Sequence, residues 1–430
     1  MLGHTLGKRH VCGLVFSVGV MLALGACTDP GQTAPPGEIL ASDQARILSP
    51  NVSDADAAEL AEGNATFAFD LYGIAAAEEG NLFFSPYSIS IALAMTYVGA
   101  REETETQMAD ALEFTLPQEQ LHPAFNALDL ELAARNSDDG VRLNVVNRLW
   151  GERTFTFLDT FLDTIAENYG ASLSLMDFVG HPNESRIAIN DWVADNTEQR
   201  IQNLIPQGVI TSNTRLVLTN AIYFLADWAH VFEADDTADR PFNLLDGTSI
   251  DVPTMRQTEF FNYYDGDGYQ IVELPYKDEL LVMDVILPDE DGLADVEAML
   301  DATTFAGMVD AMTLTDITLS LPKFQFTWSH SLKSMLADLG MPIAFTADAD
   351  LSGMDGGAGG LAITEVVHKA FVAVDEEGTE AAAATAVIVD LTGAPEPGVA
   401  VVVDRPFIFV IRDKATDAIL FVGRVADPTS

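Results

Sequence analysis

The sequence predicts an α+β domain. Helical patterning lies mostly in the first half and strand patterning in the second, segregated rather than alternating. Of the 430 residues, 48% are hydrophobic, which is enough for a large core and too many for a chain disordered along its length. From a helical pattern starting near Asp56 to Ser430 there is no internal repeat and no second linker, so residues 56–430 read as one large domain.

What precedes that domain reads as targeting and tether. Lys8, Arg9 and His10 form a basic start, and Val11 to Leu24 is an apolar run of 14 residues. That is short for a membrane span but fits the core of a signal peptide, residues 1–26. It ends in Leu24-Gly25-Ala26-Cys27, which resembles the lipobox of bacterial lipoproteins. That resemblance implies cleavage before Cys27 and a lipid on its thiol; an ordinary secretory cut near Ala26 is the alternative. The expected location is a bacterial cell envelope, reached through the lipid anchor, or the extracellular medium. Cys12 leaves with the signal and Cys27 carries lipid, so the exported chain has no disulfide. Residues 27–55 include "TDPGQTAPPGEILASDQ", whose Pro, Gly and polar residues read as a tether.

Four segments define the domain. In "NLFFSPYSISIALAMTYVGA" a short strand leads into a helix, with Ser85 as cap and Pro86 at the first helical position. That helix is apolar nearly all round and should be buried. "TRLVLTNAIYFLADW" and "LAITEVVHKAFVAVDE" read as central strands. "VAVVVDRPFIFVIRDKATDAILFVGRVADP" reads as three closing strands, turning near Lys414 to Asp417. Between the last two lies "VDEEGTEAAAATAVIVDLTGAPEPG", which joins helix-favouring alanines to strand-favouring Val and Ile.

Several function classes are disfavoured. A net charge of −45 opposes binding to nucleic acid. No G-x-S-x-G elbow, H-E-x-x-H pair or Walker loop is present. "DADLSGMDGGAG" starts like a calcium loop, but Gly359 stands where a bidentate Glu is needed, so a capping turn is the better reading. "DGDGY" reads as a tight turn. No metal and no cofactor are expected, and no enzymatic activity.

Taken together and in order, these segments resemble the serpin family, and "LSLPKFQFTWSHSLKSMLADLGMPIAFTADADLSGM" adds another block. The resemblance implies three β-sheets, about eight or nine helices and an exposed reactive loop, here residues 376–398. It implies an inhibitor, expected to be monomeric. The protease cleaves the bait and forms an acyl-enzyme; the cut loop then enters the central sheet and traps the protease covalently.

The mixed composition of the loop fits that double life. In the hinge Glu376-Glu377-Gly378-Thr379-Glu380-Ala381-Ala382-Ala383-Ala384, the small side chains of Thr379, Ala381 and Ala383 can be buried in a sheet. Glu380, Ala382 and Ala384 face the other way, and Gly378 supplies dihedral freedom. A surface helix over the alanines is the alternative. Family spacing places the reactive bond at Thr392–Gly393, with Asp390–Leu391 and Leu391–Thr392 as alternatives. No Lys or Arg lies from Gly378 to Asp404, so the expected partner is an elastase-, subtilisin- or chymotrypsin-like serine protease with a small or apolar primary pocket. A cysteine protease of similar preference, or a non-inhibitory serpin acting as a binding or structural protein, remains open.

The resemblance also assigns two polar clusters. Ser85, Ser88, Asn220 and His368 resemble the family's shutter, beneath the place where the sheet opens. Trp228, Lys323 and Glu376 resemble the breach, where insertion begins; a local Lys323–Glu376 salt bridge is the plainer alternative. "PQEQLHPAFNALDLELAARNSDDG" is acidic with Arg135 as its single cation, so heparin binding is not expected.

Overall fold

The computed structural model describes residues 33–136, 140–277, 279–357, 360–379 and 398–430. The first sheet runs β1 (Glu38–Leu40), β4 (Leu173–Met176), β3 (Val141–Glu152), β5 (Leu216–Asp227), β13 (Gly378–Thr379), β12 (Ile363–Val374), β11 (Phe324–Ser331). The second runs β14 (Val399–Val402), β10 (Thr313–Pro322), β7 (Ser249–Asp265), β8 (Tyr269–Pro275), β9 (Leu281–Pro288), β15 (Phe407–Asp413), β16 (Ile419–Val425), β2 (Leu82–Phe84). A further strand, β6 (Ala238–Asn243), pairs with β7. The three expected sheets thus occur as two hydrogen-bonded networks. β7 is 17 residues long and meets β8 only from Asn262 to Asp265, so one strand joins an outer layer, β14-β10-β7, to the inner one.

Ten α-helices surround the sheets among the described residues. They are α1 (Asp54–Ala75), α2 (Pro86–Tyr97), α3 (Glu102–Ala111), α4 (Gln118–Ala133), α5 (Asp159–Tyr169), α6 (Pro182–Asn196), α7 (Leu293–Met299), α8 (Ala302–Ala311), α9 (Lys333–Asp338) and α10 (Ser352–Asp355).

The strand-then-helix reading of "NLFFSPYSISIALAMTY" holds. The Ser85 hydroxyl accepts from the Ser88 N–H, and every residue of α2 is buried. Such a helix has no polar face to give to solvent, so it packs against β3, β5 and β16. Phe83 stacks on Phe421 at 4.9 Å between ring centroids, tying β2 into the core. "DGDGY" makes the expected turn from β7 to β8, with Gly266 N–H donating to Tyr269 O and Gly268 at φ +87°. The Asp350 carboxylate accepts from the Ser352 N–H, a local turn of the calcium-like segment just before α10, whose N-cap is Leu351.

One expectation is corrected. Residues 27–55 read as a free tether, yet the chain is bound to the body from Thr33 onward. Thr33 exchanges two hydrogen bonds with Asn196 of α6, at 2.7 and 2.9 Å, and its carbonyl accepts from Trp192 Nε1. β1 then adds to the edge of β4, and Arg46 pairs with Asp129 of α4 at 2.6 Å. Pro- and Gly-rich composition conceals this, because the order is imposed by long-range partners rather than by local propensity.

Candidate functional site

The site is the seam between β5 and β12. The two strands pair in parallel from Ile363↔Leu216 to Phe371↔Tyr223. Above Phe371 they diverge, and β13 fills the space between them. The chain reverses after Val374 in a tight turn, with the Asp375 N–H donating to Gly378 O and the Asp375 carboxylate accepting from the Glu377 N–H. Gly378 and Thr379 then pair antiparallel with Asp227 and Ala226 of β5, while Thr379 faces Val374 of β12. Gly378 and Thr379, the third and fourth hinge residues, are therefore already a strand in the sheet of the uncut chain. This differs from a loop that waits wholly outside until it is cleaved.

Two side-chain details explain the fit. A Cβ at Gly378 would lie 2.1 Å from the Ala226 carbonyl oxygen, so close backbone approach requires glycine here. The sequence suggested dihedral freedom instead; Gly378 is not among the positive-φ glycines. Thr379 is 1% exposed, and its hydroxyl lies 2.7 Å from the Tyr276 hydroxyl. A small side chain that brings its own hydrogen bond can be buried without leaving a polar group unsatisfied.

The residues that the resemblance assigns to the breach surround that entry. Trp228 Nε1 donates to Asp375 O at 3.0 Å, and the Trp228 N–H donates to Glu377 O at 2.8 Å. The indole stacks on Tyr276 with ring centroids 4.6 Å apart. Glu376 receives the Lys323 ammonium at 2.5 Å and the Thr237 hydroxyl at 2.8 Å. Burial alone would raise the Glu376 carboxyl. The Lys323 hydrogen bond, a backbone N–H and Thr237 outweigh it and hold the group below the usual carboxylate range. Tyr276 and Thr237 were not singled out in the sequence, since neither sits in a motif.

The residues that the resemblance assigns to the shutter meet lower on the same seam. Ser85, Ser88, Asn220 and His368 are all fully buried. Asn220 and His368 are register partners across β5 and β12, and Asn220 Oδ1 accepts from His368 Nδ1. His368 Nε2 accepts from the Ser85 N–H at 3.3 Å, which fixes the proton on Nδ1. Burial, assisted by nearby His330, lowers the His368 pKa to about 3, so the ring is neutral at pH 7. Asn220 Nδ2 donates towards Ser88 O, Ser88 Oγ and Asn147 Oδ1, each at 2.6 Å. Asn147, on β3, completes the cluster and was missed: it is one of two Asn in "VRLNVVNRLW", and nothing in the sequence marks it beyond being polar in mid-strand.

The other expected site residues lie elsewhere. Glu380, Ala381, Ala382, Ala383, Ala384, Asp390, Leu391, Thr392, Gly393 and Cys27 lie outside the described residues. Arg135, next to the acidic helix α4, is engaged by Asp413 at 2.6 Å.

Comparison with known proteins agrees with this architecture. The profile of the family described as Serpin (serine protease inhibitor) matches residues 62–428. The chain is 42% identical to the leukocyte elastase inhibitor of Xenopus laevis over 357 residues, 81% of this chain and 93% of that protein. It is 40% identical to an uncharacterized serpin-like protein of Thermococcus kodakarensis, over 84% of each chain. The crystal structure of the thermophilic serpin tengpin in its native state superposes with a TM-score of 0.81 at 28% identity, covering 90% of this chain and 97% of tengpin. A buried seam that receives the start of a hinge, within this sheet order and this degree of identity, leads to one conclusion: the chain belongs to the serpin family.

Proposed function

We propose that the protein is an inhibitory serpin that traps a serine protease as an acyl-enzyme, and that it works at a bacterial cell envelope. The observation that carries the reading is the hinge: Thr379 is seated in the sheet, and four alanines follow Glu380. Continuing the strand would bury small side chains on the Thr379 face, so nothing bulky opposes further entry. The elastase inhibitors among the relatives and the Thr or Leu residues near the proposed bond support a protease with a small or apolar primary pocket. In this reading the shutter holds β5 and β12 together until cleavage, and the breach guides the first residues in.

The test is incubation with pancreatic elastase, subtilisin, chymotrypsin and a papain-like cysteine protease, followed by denaturing electrophoresis. We expect a denaturant-resistant complex with at least one of the serine proteases. Mass spectrometry should show a released peptide starting at Gly393 or within two residues of it. Cleavage by the whole panel with no complex would leave a serpin that does not inhibit, and a complex with the cysteine protease alone would move the target class.

The envelope location rests on "LGAC" at Leu24 to Cys27. Full-length protein expressed in a bacterium should enter the detergent phase on phase partitioning, and Cys27→Ser should return it to the aqueous phase. Wild type that stays aqueous would replace lipidation with ordinary secretion.

A further inference from the structure

A cavity of about 410 Å³ opens where α4, α5, α10 and the turn from α2 to α3 meet, and it shares no residue with the β5–β12 seam. That volume falls in the range of small-molecule sites, which combine apolar walls with a few placed polar groups. Val98, Pro123 and Phe161 supply apolar wall here. The polar groups define the ligand.

Arg101 lines the cavity from the turn before α3. Its Nη1 donates to the carbonyls of Val98 and Ala100, at 2.9 and 2.6 Å. Among the described residues its other N–H groups have no acceptor, and no carboxylate pairs with it. The acids nearby are engaged elsewhere: Glu105 accepts from Gln118 Nε2 at 2.8 Å, and Asp350 from the Ser352 N–H at 3.0 Å. Gly353 makes room for the guanidinium, because a Cβ there would stand 2.5 Å from Nη2 and 2.6 Å from Cζ. A cation held in a cavity wall, with donors left over, is a seat for a carboxylate.

α4 and α5 supply acceptors. Glu119 also lines the cavity, and its exposed carboxylate has no ion-pair partner among the described residues. Its carbonyl lacks the usual helical donor, because the residue four further on is Pro123, inside α4. Asn168 of α5 is 7% exposed; its Nδ2 donates to Thr164 O at 3.0 Å, while its Oδ1 accepts from no described residue. That oxygen is not sealed in the core, so it opens onto the cavity that Asn168 lines. His122 adds no charge: its Nδ1 meets the Tyr169 hydroxyl at 2.6 Å, and burial lowers its pKa to about 4.

Arg101 and Glu119 thus line one cavity without pairing with each other. A molecule that joins them must carry both charges, and the apolar wall requires an apolar body. We propose that this cavity binds a free α-amino acid with an apolar side chain, its carboxylate on Arg101 and its ammonium on Glu119 and Asn168. The inference stands apart from the inhibitory reading, and either can fail without the other.

The experiment titrates the full chain with L-phenylalanine, followed by ligand-observed NMR. Two analogues each lack one charge: L-phenylalaninamide has no carboxylate, and hydrocinnamate has no ammonium. L-Phenylalanine should bind with a Kd of about 1 mM. Each analogue should bind about tenfold more weakly, the scale of one charge-assisted hydrogen bond. In Arg101→Gln the amide should match the parent amino acid, and in Glu119→Gln hydrocinnamate should match it. Glu119 is exposed and makes no ion pair, so that variant should fold normally, and the analogues on wild type need no variant at all. Thr164→Phe, which fills the cavity from α5, should abolish binding. No saturation by L-phenylalanine at about 10 mM, tenfold past the expected value, overturns the proposal. So does either analogue matching the parent on wild type. Thr164→Phe that binds as wild type does would put the amino acid elsewhere and overturn it as well.

Discussion

Thr379→Arg should turn the inhibitor into a substrate. Thr379 is 1% exposed, and its hydroxyl meets Tyr276 between β5 and β12. A guanidinium placed there finds the Trp228–Tyr276 stack and apolar core rather than a carboxylate. An unpaired buried charge costs several kcal/mol even after relaxation. Each ~1.4 kcal/mol added to the insertion barrier slows that step about tenfold. Deacylation then overtakes insertion, and the ratio of complex to cleaved product should fall by about 100-fold or more. The proposed bond is 13 residues further along, so first attack by the protease should keep nearly its normal rate.

The structure adds a readout that needs no protease. Because the hinge is already seated in the uncut chain, Thr379→Arg should expel it and unload the Trp228 environment. Intrinsic tryptophan emission should therefore shift on mutation alone. Glu380→Arg is the control, since strand alternation places that side chain on the opposite face. Equal ratios for wild type and both variants would show that insertion does not set the outcome.

Much of this site could be read from the sequence because local and global signals coincide there. Ser85-Pro86 is both a helix start and the origin of the shutter. The runs that became β5 and β12 are apolar because they are covered on both faces. Asn220 and His368 were assigned through the family resemblance, and they are the polar residues that meet across those two strands. The hidden parts depend on distant partners. Tyr276 reads as one more aromatic until β13 brings Thr379 to its hydroxyl. Asn147 gains meaning only when β3 is placed beside β5. β1 sits in a polar segment whose order comes from β4, α4 and α6. The fusion of two expected sheets follows from the length of β7, which pairs with β6, β10 and β8 along different portions.

Asn220→Ala should weaken the seam rather than block it, with the opposite functional signature. Asn220 joins α2 through Ser88, β3 through Asn147 and β12 through His368. Removing its amide leaves the buried His368 Nδ1–H without an acceptor. Moving that proton to Nε2 gives no relief, because Nε2 would then face the Ser85 N–H, two donors together. One unsatisfied buried group costs about 1–3 kcal/mol, and Ser88 and Asn147 lose partners as well. Stability should drop by roughly 2–4 kcal/mol, and the thermal midpoint by about 5 °C or more. The functional effect is specific to position. The Asn220–His368 bond crosses the seam that the loop enters in the proposed mechanism, so its loss should let β5 and β12 part before any cleavage. Fresh protein should still form complex, but inhibitory capacity should decay several-fold faster on incubation below the midpoint, as self-inserted or polymeric species collect on native gels. Asn147→Ala separates seam from stability, since it removes a partner on β3 without breaking a bond across the gap. It should lower the midpoint and leave the half-life of inhibition much closer to wild type. The same half-life for both variants would mean that this hydrogen bond is ordinary packing stability and has no hold on the opening of the sheet.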